Sequence, residues 1–140
     1  MKKYVLLFVL IILSACNSDD KSKVENKNID EIDLQGRWLW VSSTGGFQGV
    51  TPDALKQKSE LEFSDNYVST YTDGQLIKKL KFHIAIKKSI FGGNKKMIVI
   101  DKEDLTQVYY ADRSFIITGN KLTLSEECSD CFISKYEKVN

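Results

Sequence analysis

The sequence predicts an all-β domain, an antiparallel up-and-down β-barrel of about eight strands, and three observations support this prediction. Apolar and polar residues alternate from residue 34 onward, turn signals recur at short intervals, and a helical signal is confined to one short segment. A flat run of sequential strands leaves two open edges, whereas closure into a barrel removes them. A two-sheet β-sandwich is the alternative architecture.

Length and composition restrict the classes of function. The chain has 140 residues, which favours one folded domain, and 20 Lys and Arg against 19 Asp and Glu give no basic excess. We therefore expect no nucleic-acid partner, because phosphate recognition requires clustered positive charge. One His and three Cys offer little for catalysis or metal binding. We expect no enzymatic activity, no cofactor, no metal site and no catalytic residues.

The first sixteen residues predict an export signal. A basic start precedes the uncharged segment 4–13, which is too short for a membrane-spanning helix and has the length of a signal-peptide core. Residues 13–16, Leu-Ser-Ala-Cys, resemble the lipobox of bacterial lipoproteins. The resemblance implies that residues 1–15 are a removed signal peptide and that the thiol of Cys16 accepts a diacylglyceryl group. An ordinary signal peptide with a chance Cys16 is the alternative.

An acylated Cys16 would attach the protein to a lipid bilayer through buried acyl chains such as palmitate. We expect this bilayer to be the bacterial outer membrane, with the domain on its periplasmic or cell-surface side.

Residues 17–33 contain six acids, three lysines and three asparagines, a composition that cannot offset the entropy of ordering. Residues 16–33 are thus predicted to be the lipidated Cys and a flexible tether. Acids at 19–20 resemble surface-export signals, and a plain solvated linker is the alternative.

The domain is expected to span residues 34–140. Asp65-Asn66, Asp73-Gly74 and Gly119-Asn120 are predicted hairpin turns, because Gly, Asn and Asp tolerate positive φ. Segment 51–57 is either a short helix capped by Thr51 or an irregular loop. The strands are expected over 36–42, 60–64, 67–72, 75–87, 96–100, 106–111, 114–118, 121–124 and 132–139.

Segment 75–87 is the longest predicted strand, and a period of two divides it into two faces. Its even positions, from Leu76 to Ile86, are apolar except for Lys78 and form the face that is predicted to be buried, whereas the odd face carries lysines and His83 and is predicted to be solvated. Lys78 falls on the apolar face. It either extends to a rim or meets an acidic ligand inside the barrel.

Cys128 and Cys131 form a Cys-x-x-Cys pair between two predicted strands. A local disulfide is the favoured interpretation in an oxidising envelope, with free thiols and a metal or redox role as alternatives. Glu126, Glu127 and Asp130 are predicted to be a solvated acidic loop, with a calcium site as the alternative. Trp38 and Trp40 are predicted to be core residues.

Short motifs at both ends of the domain resemble small lipocalin-like lipoproteins of bacteria. They are Gly36-x-Trp38 with the stretch that follows to residue 47, and residues 122–136 with the Cys pair. The resemblance implies an up-and-down barrel that Trp38 plugs at one end, and binding of a small hydrophobic molecule. Members of the family often carry an Arg after the final Tyr. Here Tyr136 is followed by Glu137 and Lys138, and Lys lacks the planar group that stacks on Trp.

The sequence therefore predicts a membrane-anchored lipocalin-like lipoprotein that binds a small hydrophobic or amphipathic ligand in the cell envelope. The alternative is a solid-cored interaction protein or enzyme inhibitor that binds an envelope protein through loops 45–57 and 89–94. Hairpin patterns show which residues face inward but not whether the barrel is hollow, so no ligand-binding residue is assigned.

Overall fold

The chain forms a closed barrel of eight antiparallel strands in the computed structural model, which describes residues 33–46, 49–101 and 110–140. Each strand pairs with the next, and β8 pairs with β1. This ring confirms the predicted up-and-down barrel, fits a lipocalin-like architecture and excludes the two-sheet sandwich. The strands are β1 (Gly36–Thr44), β2 (Ser59–Ser64), β3 (Tyr67–Thr72), β4 (Gln75–Lys88), β5 (Asn94–Ile100), β6 (Arg113–Thr118), β7 (Lys121–Glu126) and β8 (Ile133–Lys138).

The core fills the half of the barrel in which β1 begins. Alternation along each strand turns every second side chain inward, and the inward residues there are apolar. Phe63 and Phe82 pack edge to face, with ring centroids 5.5 Å apart. Each large side chain buried in this way contributes about 1.5–3 kcal/mol. The buried members are Leu34, Trp38, Leu61, Phe63, Val68, Leu80, Phe82, Ile98, Leu122 and Leu124.

Trp38 lies in the core at this end of the barrel. Its side chain is completely buried, and its indole Nε1 donates a hydrogen bond of 2.8 Å to the carbonyl oxygen of Leu34. The Nζ atom of Lys138 lies 5.0 Å from the centroid of the Trp38 ring system. Lys138 therefore covers Trp38 without a planar guanidinium, because an ammonium group also binds the face of an indole.

β4 departs from the prediction at both of its ends. Leu80 and Phe82 are buried as expected, but 55% of Leu76 and 69% of Ile86 are exposed. The register between β3 and β4 shifts next to Leu76, and a shift of one residue moves a side chain to the opposite face. Ile86 lies where the β4–β5 hairpin extends past its paired contact with β6, so no third strand of the described ranges covers it.

The turns and the helix follow local sequence rules. Asp65, Asp73 and Gly119 adopt positive φ in the three predicted hairpins. Helix α1 (Pro52–Leu55) confirms the helical interpretation of the β1–β2 connection. Thr51 Oγ1 accepts a hydrogen bond of 3.4 Å from Ala54 N, which satisfies a free amide of the first turn.

Several predictions fall on residues that the structure does not describe. Residues 1–32, including Cys16 and most of the tether, lie outside the described ranges. The predicted strand 106–111 also falls mostly outside them, and its described end, Tyr110 and Ala111, is not strand. Within the described part of the chain, no helix has both the length and the apolar character needed to cross a bilayer.

Candidate functional site

The barrel half in which β1 ends has a different interior from the core half, because polar side chains face inward there. Strand alternation and cross-strand pairing place them on the same inner face as the core residues. We call this set the inner polar ring. Its members are Ser43, Ser59, Thr70, Lys78, Arg113, Glu126, Ser134 and Tyr136.

A β-bulge brings two residues of β1 into this interior together. The register between β1 and β8 shifts between Trp40 and Ser42, so Trp40 and Ser43 both face inward although they are three positions apart. Trp40 Nε1 donates a hydrogen bond of 2.9 Å to Ser43 Oγ, and Ser43 Oγ lies 2.7 Å from Ser134 Oγ. The buried indole N–H therefore has an acceptor that a regular strand would not supply.

An ion pair crosses the inner face between β6 and β7. Arg113 Nη2 lies 3.2 Å from Glu126 Oε1, and both side chains are partly buried. Burial raises the pKa of the Tyr136 phenol beside this pair, although the positive charge of Arg113 acts in the opposite direction. Tyr136 is therefore neutral at physiological pH and presents its O–H group to the interior.

A cavity of about 230 Å³ lies next to the inner polar ring, below helix α1. Its walls combine aromatic and aliphatic surface with a few hydroxyl groups, the composition of a site for a small amphipathic molecule. The cavity is smaller than the 300 Å³ or so that a drug-sized ligand occupies. Its lining includes Trp40, Leu55, Ser59, Leu61, Thr70 and Tyr136.

Glu60 also borders this cavity, but its charge is already balanced. Its side chain is buried and pairs with Lys58 Nζ at 3.0 Å and with Arg37 Nη1 at 3.8 Å. Beside it, Tyr71 donates a hydrogen bond of 2.7 Å to Glu62. This bond, assisted by Arg37, holds the pKa of Glu62 below its ordinary value. These residues form an outer network that supports β2, and Glu60, the acid among the described residues that line the cavity, is already paired.

Lys78 faces the interior on β4. Its cross-strand neighbour Thr70 lines the cavity, and Thr70 in turn pairs with the core residue Leu61. The Lys78 side chain is half-buried, and its Nζ lies 4.3 Å from the centroid of the Tyr110 ring. Among the ion pairs of the described residues, none joins a carboxylate to Lys78.

Three further depressions open on the surface of the barrel. One of about 340 Å³ lies along β6, β7 and β8. One of about 470 Å³ lies between α1 and β1 and is lined by Leu39, Trp40, Pro52, Asp53, Lys56, Gln57 and Lys58. Another of about 540 Å³ lies between the β4–β5 loop and the β7–β8 loop, where Ile90, Phe91 and Ile133 are exposed. None of the three is lined by Ser59, Leu61 and Thr70, the inward-facing residues of β2 and β3 that line the smaller cavity.

Glu127 holds the β4–β5 loop against the β7–β8 loop. Its carboxylate accepts hydrogen bonds from Ser89 Oγ at 3.1 Å and from Ile90 N at 2.9 Å. Burial alone would raise the pKa of Glu127, but hydrogen bonds from Ser114, Ser89 and Ile90 outweigh it, and the net direction is downward. The folded state therefore favours the ionised form of the Glu127 carboxyl group.

The structure places most residues that the sequence singled out. The sulfur atoms of Cys128 and Cys131 are bonded in the β7–β8 loop. His83 is exposed on the outer face, where its Nδ1 lies 2.7 Å from Asp101. The prediction of a solvated acidic loop is wrong for Glu126 and Glu127, because the first pairs with Arg113 and the second anchors a loop.

Sequence reasoning missed most of the inner polar ring. A signal for Arg113 was present, because it stands two positions before Phe115 and four before Ile117, which face inward. Ser134 and Tyr136 alternate in the same way on β8. The inward position of Ser43 had no such signal, since it depends on a bulge that only the pairing with β8 defines.

Comparison of the chain with protein-family models, curated proteins and solved structures found no match.

Proposed function

We propose that this protein is a lipid-anchored, lipocalin-like binding protein of the bacterial envelope, and that its barrel holds a small amphipathic ligand. The observation that carries the proposal is the cavity of about 230 Å³ between Trp40, Thr70 and Tyr136. One half of the barrel is filled by the apolar core, which gives the fold its stability. The other half combines apolar wall with inward polar groups, as small-molecule sites do.

Neutral 1-hexanol tests the proposed binding function, because it is small and amphipathic. Chemical-shift titration of the isotopically labelled full chain in mild detergent should show saturable binding, with the largest shifts at Leu61 and Thr70. Replacing Ser59, which lines the cavity, by Phe should abolish it, since the ring fills the space. Ser64→Phe at the exposed opposite end of β2 is the matched control. Equal saturable binding by both variants, or none by the wild type, would refute the function.

The anchor has its own test. Cells that express the full chain are fed an alkyne-labelled fatty acid, and the protein is then recovered from membrane and soluble fractions. Labelled protein in the outer-membrane fraction is expected for the wild type, because buried acyl chains hold a protein to a bilayer. Cys16→Ser should remove both the label and the membrane association. Equal labelling of the two proteins would exclude the lipidation of Cys16.

Docking to an envelope protein is the second candidate function. It is favoured by the exposure of Ile90 and Phe91, 55% and 57%, beside the outer depression of about 540 Å³. A photo-crosslinker at position 91 in living cells should then give one dominant adduct with another protein. The same crosslinker at Ile116, which is 68% exposed on another part of the wall, should not. Identical patterns at both positions would reject this candidate.

A further inference from the structure

We propose that the ligand carries a negatively charged carboxylate, and that this group binds the ammonium of Lys78 while the apolar part occupies the neighbouring cavity. The inference rests on the proposed binding function and specifies the class of ligand. It follows from the inward position of Lys78, from the charges around it, and from the cavity lined by Thr70, which pairs with Lys78 across β3 and β4.

The pairing of β4 with β3 determines that Lys78 faces inward. The register shift between β3 and β4 falls between Lys78 and Leu76, so Lys78 keeps the inward phase of Leu80 and Phe82 while Leu76 turns outward. A lysine on an inner face loses hydration, and a protein that gained only packing from this position would place an apolar residue there. A partner of opposite charge would offset this loss.

The described part of the chain supplies only a weak partner. Lys78 Nζ lies over the Tyr110 ring, a contact that attracts a cation less strongly than a carboxylate does. Glu60, which borders the cavity, pairs with Lys58, and Glu126 of the inner polar ring pairs with Arg113. The inner polar ring, as the structure describes it, carries two cations and one anion, a net charge that an anionic ligand would balance.

Distance and shape agree with this assignment. Directly opposed residues on neighbouring strands have Cβ atoms about 5 Å apart, so the Lys78 side chain starts beside Thr70 in the cavity wall. Its flexible stem lets the ammonium move from the Tyr110 ring to a bound carboxylate. Trp40, Leu61 and Tyr136 then surround the apolar part of the ligand. The cavity volume limits that part to a short chain or one ring.

The test compares hexanoate with 1-hexanol, which differ in charge but have the same chain length. Chemical-shift titrations of the full chain in mild detergent should show hexanoate binding about tenfold more tightly than 1-hexanol, since a hydrogen-bonded ion contributes at least that factor. Lys78→Met, which keeps the apolar stem, should remove this preference, so that the variant binds hexanoate no more tightly than it binds 1-hexanol. Lys78→Arg should retain it.

Lys79→Met is the matched control. Lys79 is the next residue of the same strand, faces outward, and places its Nζ 4.6 Å from the centroid of the Tyr67 ring. Its substitution should not change hexanoate affinity. If 1-hexanol binds but hexanoate gains nothing from Lys78, the carboxylate assignment is wrong and the binding function stands. If neither ligand binds, both proposals are overturned.

Discussion

Lys138 covers the face of Trp38, with its Nζ 5.0 Å from the centroid of the ring system. The same ammonium donates a hydrogen bond of 3.3 Å to the carbonyl oxygen of Asp33, and the indole donates to Leu34. One cation and one indole thereby tie the last strand to the segment before the first. Side chains thereby add to the closure of the ring that the pairing of β1 with β8 makes.

Removing the charge of Lys138 should weaken this closure. Lys138→Met is expected to lower the free energy of unfolding by about 0.5–2 kcal/mol, the range for a cation on an aromatic face, and Lys138→Arg should preserve it. Urea denaturation followed by circular dichroism measures the difference. Lys135→Met, at an exposed position of the same strand, is the control. If both Met variants lost the same free energy of unfolding, the contact between Lys138 and Trp38 would not contribute to stability.

Ser43 is expected to determine the environment of Trp40. Ser43→Ala leaves the indole Nε1 without the acceptor that lies 2.9 Å away, and an unsatisfied buried donor costs about 1–3 kcal/mol. The emission spectrum of Trp40, read in a Trp38→Phe background, should shift along with the loss of stability. Ser42→Ala is the neighbouring control. The hydrogen-bond assignment fails if Ser43→Ala leaves both stability and emission unchanged.

Gly45 is expected to tolerate no side chain. A Cβ atom there would overlap the carbonyl oxygen of Cys131 and lie 2.9 Å from Phe132 Cα, so the β7–β8 loop would have to move. Gly45→Ala should cost about 1–3 kcal/mol, as overpacking does. At Gly49 a Cβ meets only an ordinary contact, 3.5 Å from Ser43 O, so Gly49→Ala is the control in thermal denaturation. Comparable melting temperatures for the two variants would contradict the predicted clash.

The bond between Cys128 and Cys131 is expected to persist in the purified protein, so thiol titration of the denatured, unreduced chain should find neither residue reactive. Because the bond closes a loop of four residues, its removal should cost about 2 kcal/mol in the chain-entropy treatment. Cys128→Ser and the double Ser variant should lose the same amount, since either one opens the loop. Two reactive thiols from this pair in the wild type would show that the bond is absent in solution.

Glu127 should make stability depend on pH. Its pKa in the folded state lies below the ordinary value of 4.5, so the folded state binds the proton less tightly than the unfolded state. The contribution is therefore complete above pH 4.5 and is lost as pH falls through the folded-state pKa. The difference in unfolding free energy between wild type and Glu127→Gln should be largest near neutral pH and shrink in acid. Asp130→Asn, at an exposed position in the same loop, is the control.

Local patterns predicted much of the fold because they depend on neighbours in the chain. Asp73-Gly74 formed its turn because Gly and Asp tolerate positive φ, and Thr51 capped a helix because its hydroxyl lies within reach of Ala54 N. The candidate site was not predictable in the same way. Strand alternation gave no indication that β4 would shift register next to Leu76 or that β1 would bulge after Trp40.

The sequence by itself determined the all-β class, the hairpin turns and the apolar face that Leu80 and Phe82 present to the core, because each follows from backbone preferences and a period of two. It also defined the lipobox-like segment ending at Cys16, on which the proposed anchor depends. Only the tertiary structure decided that Lys78 lies opposite Thr70 of the cavity wall, that Arg113 pairs with Glu126, and that Lys138 covers Trp38. These relationships join strands distant in the chain, and their geometry exists only once the ring of strands has closed.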